Sequence, residues 1–192
     1  MKKTFMTILA LLTVTVMTAQ DIRFKEGDKV LNLGIGLGST LYSGSYYKTK
    51  VPPLSASLEF GFMDNLFDVE NLNLGLGGYL GFTSSKYEYS LFGSTWGWEY
   101  SSLIVGARGV LHYPLVEKLD TYSGLLLGYN IVTSKSFGTG VTGSASGSGI
   151  AYSWFVGGRY YFTDNIAGMV ELGYGIAYLN LGVAVRIPSK GE

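Results

Sequence analysis

The chain has 192 residues with 14 basic against 14 acidic side chains, one histidine and no cysteine. A net charge of zero gives nucleic acid nothing to bind by, and the lack of cysteine excludes a disulfide-stapled domain or a cysteine-anchored lipoprotein. The 28 glycines have no period of three and 47% of residues are hydrophobic, which excludes collagen and disorder and points to many β-strands.

The first element is a leader. In MKKTFMTILALLTVTVMTAQ, Lys2 and Lys3 form a basic start, residues 5–16 an apolar run and residues 18–20 a small, polar end. That layout predicts a cleavable signal peptide over 1–20, because the apolar run is short for a transmembrane helix. The remaining domain, 21–192, carries 12 basic and 14 acidic residues.

Beyond residue 20 the pattern has period two throughout. In KVLNLGIGLGS, Leu31, Leu33, Ile35 and Leu37 oppose Asn32, Gly34, Gly36 and Gly38. In LSASLEFGF, Leu54, Leu58 and Phe60 oppose Ser55, Ser57 and Glu59, and in LNLGLGGYLGF, Leu74, Leu76, Leu80 and Phe82 oppose Gly75, Gly77, Tyr79 and Gly81. A fourth strand sets Leu103, Val105 and Leu111 against Ser102, Arg108 and His112, and a fifth sets Leu125, Leu127 and Tyr129 against Gly124, Leu126 and Gly128. Trp154, Tyr160 and Phe162 then oppose Ser153, Arg159 and Tyr161, and Val170 and Leu172 oppose Met169 and Glu171. The last strand sets Leu181, Val183 and Val185 against Asn180, Gly182 and Arg186. Eight strands are predicted.

Links after strands 1, 3 and 5 are long in this reading, at residues 39–53, 83–98 and 133–149, and rich in Gly, Ser, Tyr and Lys. Links after strands 2, 4 and 6 are the shorter MDNLFDVEN, PLVEKLD and TDN, and the seventh, around residues 175–178, is also short. Long loops at one end and short turns at the other are the asymmetry of outer-membrane barrels. The long-chain apolar face then meets lipid, while Gly, Ser and Asn face the narrow interior. A soluble sandwich would carry Lys, Glu and Thr on its outer face instead. Aromatics gather at the strand ends, Tyr46, Tyr47, Trp96, Trp98 and Tyr100 at one and Phe60, Phe62, Tyr113, Tyr160 and Phe162 at the other, where two interfacial girdles are expected.

The stretch GGRYYFTDNIAGMVELGYG, followed by YLNLGVAVRI, resembles the closing strands of the small eight-stranded outer-membrane proteins of the OmpA/OmpX kind, and more closely the outer membrane protein β-barrel domain family. One departure is the ending IPSKGE, where many such chains close on an aromatic residue. The fold expected is therefore all-β: an eight-stranded antiparallel up-and-down transmembrane barrel preceded by a signal peptide. The resemblance implies surface structure, adhesion or envelope integrity in the outer membrane of a Gram-negative bacterium, with loops extracellular and both termini periplasmic.

Chemical signals are sparse. GTGVTG matches a dinucleotide fingerprint by letter, but SASGSG follows it where the motif needs a helix, so a loop is expected. His112 is the only histidine and falls near the periplasmic turn, the wrong end for a lipid-A-modifying barrel enzyme. No catalytic, metal or cofactor site is predicted. Glu59, Arg108, Arg159, Glu171 and Arg186 face inward, as a polar network in a filled interior or as the lining of a narrow small-solute channel. Within it Arg159 is expected to pair with Glu171, its diagonal neighbour across the TDN hairpin. The expected product is a monomeric, non-enzymatic surface protein whose partners are outer-membrane lipids, the barrel-assembly machinery and an unnamed ligand of the loops.

Overall fold

A computed structural model describes residues 24–42, 45–91, 94–138 and 147–188. The signal-peptide reading, residues 139–143 of GTGVTG and residues 189–192 lie outside the described residues. Eight strands follow in order: β1 (Lys29–Ser39), β2 (Tyr47–Met63), β3 (Asn73–Leu91), β4 (Ser94–Val116), β5 (Leu119–Phe137), β6 (Gly149–Tyr161), β7 (Ile166–Gly173) and β8 (Ala177–Arg186). Each pairs antiparallel with the next, and β1 pairs β8 from Val30↔Arg186 to Ser39↔Ala177, closing an up-and-down barrel.

The alternation sorts side chains as the sequence predicts. Leu33, Ile35, Leu80, Val105, Leu127, Trp154, Val170 and Val183 are exposed on the outside, whereas Asn32, Ser57, Glu59, Arg108, Arg159 and Asn180 are buried inside. An outer wall of bare Leu, Val and aromatic side chains is stable only against hydrocarbon. On β4 this apolar face runs from Leu103 to Tyr113, matching the roughly 9–11 residues a tilted strand needs to cross a bilayer. Phe60, Phe62, Tyr113, Tyr160 and Phe162 are all exposed near one end of the wall, as expected of an interfacial girdle.

The strands are unequal. β2 to β5 continue far past the barrel, so residues 83–98, expected as a loop, are a paired hairpin in which only 92–93 separate β3 from β4. Residues 39–53 and 133–149 are likewise partly strand, since β2 starts at Tyr47 and β5 runs to Phe137. Alternation weakens there because Ser, Tyr, Lys and Glu occupy both faces, and period-two patterning is visible only where one face is apolar. At the other end PLVEKLD is strand except for Glu117 and Lys118, the latter left-handed at φ 63°. MDNLFDVEN holds one 3-10 turn, Leu66–Asp68.

The chain before β1 enters the barrel mouth at this short-turn end. Phe24 is 2% exposed, its carbonyl accepts a bond from Asn73 Nδ2, and the Gly27 amide donates to the Gly61 carbonyl. Gly61 permits this approach: a Cβ there would lie 1.8 Å from the Lys25 oxygen.

Candidate functional site

Two features of the molecule carry chemistry, the floor of the lumen and the arm above it. Glu59 on β2, His112 on β4, Asp120 on β5 and Arg159 on β6 alternate inward and meet at the floor, each no more than 1% exposed. Arg159 Nη2 donates to Glu59 Oε2 at 2.7 Å and Nη1 to Asp120 Oδ2 at 3.1 Å. His112 Nδ1 is hydrogen-bonded to Asp120 Oδ1 at 2.8 Å, and its Nε2 makes a charge contact with Glu59 Oε1 at 2.6 Å. The Phe24 ring stacks on the imidazole at 4.1 Å and 25°, covering the group from below.

A second pair lies above. Arg108 Nη2 donates to Glu171 Oε2 at 2.6 Å, and its Nη1 reaches Ser57 Oγ at 3.3 Å. The Arg108 guanidinium also rests 3.9 Å over the Phe155 ring. Three carboxylates, two guanidinium groups and one imidazole thus share one low-dielectric space, balanced when His112 carries its second proton. Buried charges persist only when paired in this way.

Four of the five predicted interior residues, Glu59, Arg108, Arg159 and Glu171, come together here; Arg186 sits lower, over the Tyr161 ring and 3.6 Å from Asp28. The expected Arg159–Glu171 pairing is incorrect. The hairpin register is as predicted, with Arg159 facing Met169, but Tyr122 stands between the two charges. Its ring lies 4.7 Å from the Arg159 guanidinium carbon and its hydroxyl donates to Glu171 at 3.3 Å. Gly157 makes room for it, since a Cβ there would meet the Tyr122 ring at 2.6 Å. Arg159 therefore reaches across the lumen to β2, four strands away, instead of along its own hairpin. Asp120, Tyr122 and Phe24 were not foreseen. Continued alternation through Asp120, Tyr122 and Gly124 is the signal that locates the first two.

Above the charges the lumen is filled by Tyr79, Ile104, Leu126, Phe155 and Ile176. A void of about 20 Å³ remains beside Arg108 and Glu171, room for a single water.

The arm reverses this arrangement. The β3–β4 register runs unbroken from Asn73↔His112 to Leu91↔Ser94, so Trp96, Trp98 and Tyr100 share the inner face of Arg108. Tyr47 faces Tyr87 and joins them, which corrects the second girdle: these rings point to the lumen side and not to lipid. Their ring centroids lie close, Tyr47 to Tyr87 at 5.3 Å, Tyr87 to Trp98 at 6.3 Å and Tyr89 to Trp96 at 5.1 Å. The outer face carries the charges instead. Lys48 pairs with Glu88 at 2.8 Å and Lys50 with Glu99 at 2.8 Å. Hydrogen bonds from Lys48 and Lys86 hold the Glu88 carboxyl down at about 2, and one from Lys50 lowers that of Glu99.

No family model matches the chain, and no curated protein matches it. Several solved structures do. Ail, the attachment invasion locus protein of Yersinia pestis, solved with the heparin analogue sucrose octasulfate, is 16% identical with a TM-score of 0.49, over 84% of this chain and 95% of its own. The same protein in a phospholipid nanodisc is 18% identical with a TM-score of 0.46, over 84% of this chain and 100% of its own. The N-terminal β-barrel domain of Pseudomonas aeruginosa OprF is 14% identical with a TM-score of 0.38, over 85% and 98% respectively. The barrel itself rests on the pairing of its own strands.

Proposed function

We propose that this chain is a monomeric outer-membrane protein of a Gram-negative bacterium, non-enzymatic and closed to solutes, which presents the long-strand end outside the cell as an interaction surface. In this reading residues 1–20 are a signal peptide, both termini are periplasmic, and the barrel-assembly machinery inserts domain 21–192. The observation that carries it is the pairing of an apolar wall with a cross-linked lumen. Ion pairs join β2 to β6 and β4 to β7 across the interior, and Phe24 stacks beneath them. A narrow channel fits poorly with that interior. A lipid-modifying enzyme fits poorly with a histidine that is 1% exposed beneath a phenylalanine ring.

Fractionation of cells expressing the full chain tests the assignment. Recovery in the outer membrane, with faster gel migration when unboiled, is expected; recovery in the soluble periplasm or medium overturns it. Protease added to intact cells should cut at the long-strand end and spare residues 64–71, and the reverse pattern inverts the orientation. In planar bilayers the wild type should give no steady single-channel current.

A further inference from the structure

The rings of the arm, unlike those of the lumen, stand beside no charged side chain on their own face. Tyr47, Tyr87, Tyr89, Trp96, Trp98 and Tyr100 lie on one face of a four-stranded sheet, interspersed with Thr49, Ser85, Ser134 and Ser136. Among the described residues this face carries no Lys, Arg, Asp or Glu. Every charge of the arm is on the reverse face, where Lys48, Lys86, Glu99 and Lys135 follow one another across the four strands in register. The wall opposite is low, since β7 and β8 turn at residues 174–176. Tyr89 is 38% exposed, and the two tryptophans are half-buried.

A ligand suited to this face must bring C–H groups to meet the negative ring faces and hydroxyls to meet Tyr and Ser, and must need no counter-ion. Those are the properties of an uncharged sugar chain. Trp96 and Trp98 stand 6.3 Å apart at 85°, and Tyr87 lies 6.3 Å from Trp98 at 45°, so the three rings present faces in different directions to such a chain. A sulfated or phosphorylated glycan requires cations, and the lysines face away. A polypeptide partner of ordinary composition brings charged side chains that this face leaves unanswered.

We infer that the inner face of the arm binds a neutral oligosaccharide by stacking on Trp96, Trp98 and Tyr87. This deepens the proposed function, since it names the class of ligand that the exposed end meets.

The test uses the full mature chain refolded in amine-oxide micelles, a detergent without a sugar headgroup. Two of the three tryptophans, Trp96 and Trp98, lie in the site, and the third, Trp154, faces lipid. Trp154→Phe therefore leaves only site fluorescence. Titration with maltohexaose or cellohexaose should give a saturable emission change. Trp98→Ala should weaken it about tenfold, equivalent to roughly 1.4 kcal/mol. Tyr87→Phe, which keeps ring packing, should weaken it less, and unboiled gel mobility should stay unchanged in both. No response to either hexasaccharide, or a response only to a sulfated one, overturns the inference. So does capture of a protein that persists after its glycans are removed enzymatically. Failure here with normal outer-membrane fractionation sinks the sugar site alone; soluble recovery sinks the membrane assignment whatever the titration gives.

Discussion

The lumen floor and the arm are built from the same strands with opposite polarity. Within the barrel β3 turns Leu76, Leu80 and Phe82 outward and keeps Gly77, Tyr79 and Gly81 in; a few residues on, Lys86 and Glu88 face out while Tyr87 and Tyr89 face in. The reversal falls at one level on three neighbouring strands, where Ser84, Ser101 and Thr133 pair in a row between Phe82, Leu103 and Ile131 below and Lys86, Glu99 and Lys135 above. Strand geometry is indifferent to the change, since alternation only assigns sides. The solvent decides which side is polar. Hydrocarbon rejects charge and drives it inward, whereas water accepts it and lets rings associate on the concave side.

The sharpest way to break the contrast is to remove one charge from the floor. Arg159→Met strands Glu59 and Asp120, each 1% exposed, with only His112 between them, and should lower stability in urea by about 3–5 kcal/mol. Adding Glu59→Gln should recover part of that loss. Adding Glu171→Leu should not, because it orphans Arg108 as well; recovery there would mean that Arg159 and Glu171 are partners after all.

Gly61→Ala separates the floor from its cover. The new Cβ collides with the Lys25 carbonyl, so the segment around Phe24 must move, at a cost of about 1–3 kcal/mol. Faster proteolysis before residue 29 is the expected readout.

Trp98→Ala acts on the arm alone. Lost ring contacts should cost about 0.5–1.5 kcal/mol locally. Amide exchange should quicken over residues 83–100 while the barrel's urea midpoint holds. A shifted midpoint would mean that the arm and barrel unfold as one unit.

The smallest effect comes from acid. Glu88 is held at about 2 when folded against an ordinary 4.5, so its bonds to Lys48 and Lys86 support the arm fully above about 4.5 and are lost as pH falls toward 2. The Glu88 side chain is 21% exposed and its Lys48 partner 72%, so solvent screening keeps the effect slight. A carboxyl titration by NMR reads it directly, and a midpoint near 4.5 would show the bonds to be absent.

The barrel was legible in the sequence because every span sets a full apolar face against a small or polar one. That pattern also placed Glu59, Arg108, Arg159 and Glu171 inside. Partners across the lumen were not legible, since sequence spacing speaks of neighbours along a hairpin while the lumen joins residues such as Glu59 and Arg159 that lie 100 positions apart. Asp120 is hidden by a turn only two residues long that reads as seven, and Tyr122 by a fifth strand that reads as starting at Gly124 rather than Leu119. The arm reads as loop because Tyr, Ser and Lys lack the contrast that marks a membrane strand.

Closure by β1 and β8 also fixes an order of events. Seven of the eight pairings join strands adjacent in sequence and can form as local hairpins, but Val30 meets Arg186 only when the whole chain is present. The contacts from β2 to β6 and from β4 to β7 need the same closed ring. Until it forms, Arg108 has no partner and Arg159 has only Asp120, its neighbour across the β5–β6 hairpin, and an open sheet entering the bilayer would drag the bare Arg108 guanidinium into oil, at about 2–4 kcal/mol. Insertion and closure must therefore happen together, with the ion pairs acting as a latch that sets only on the finished barrel.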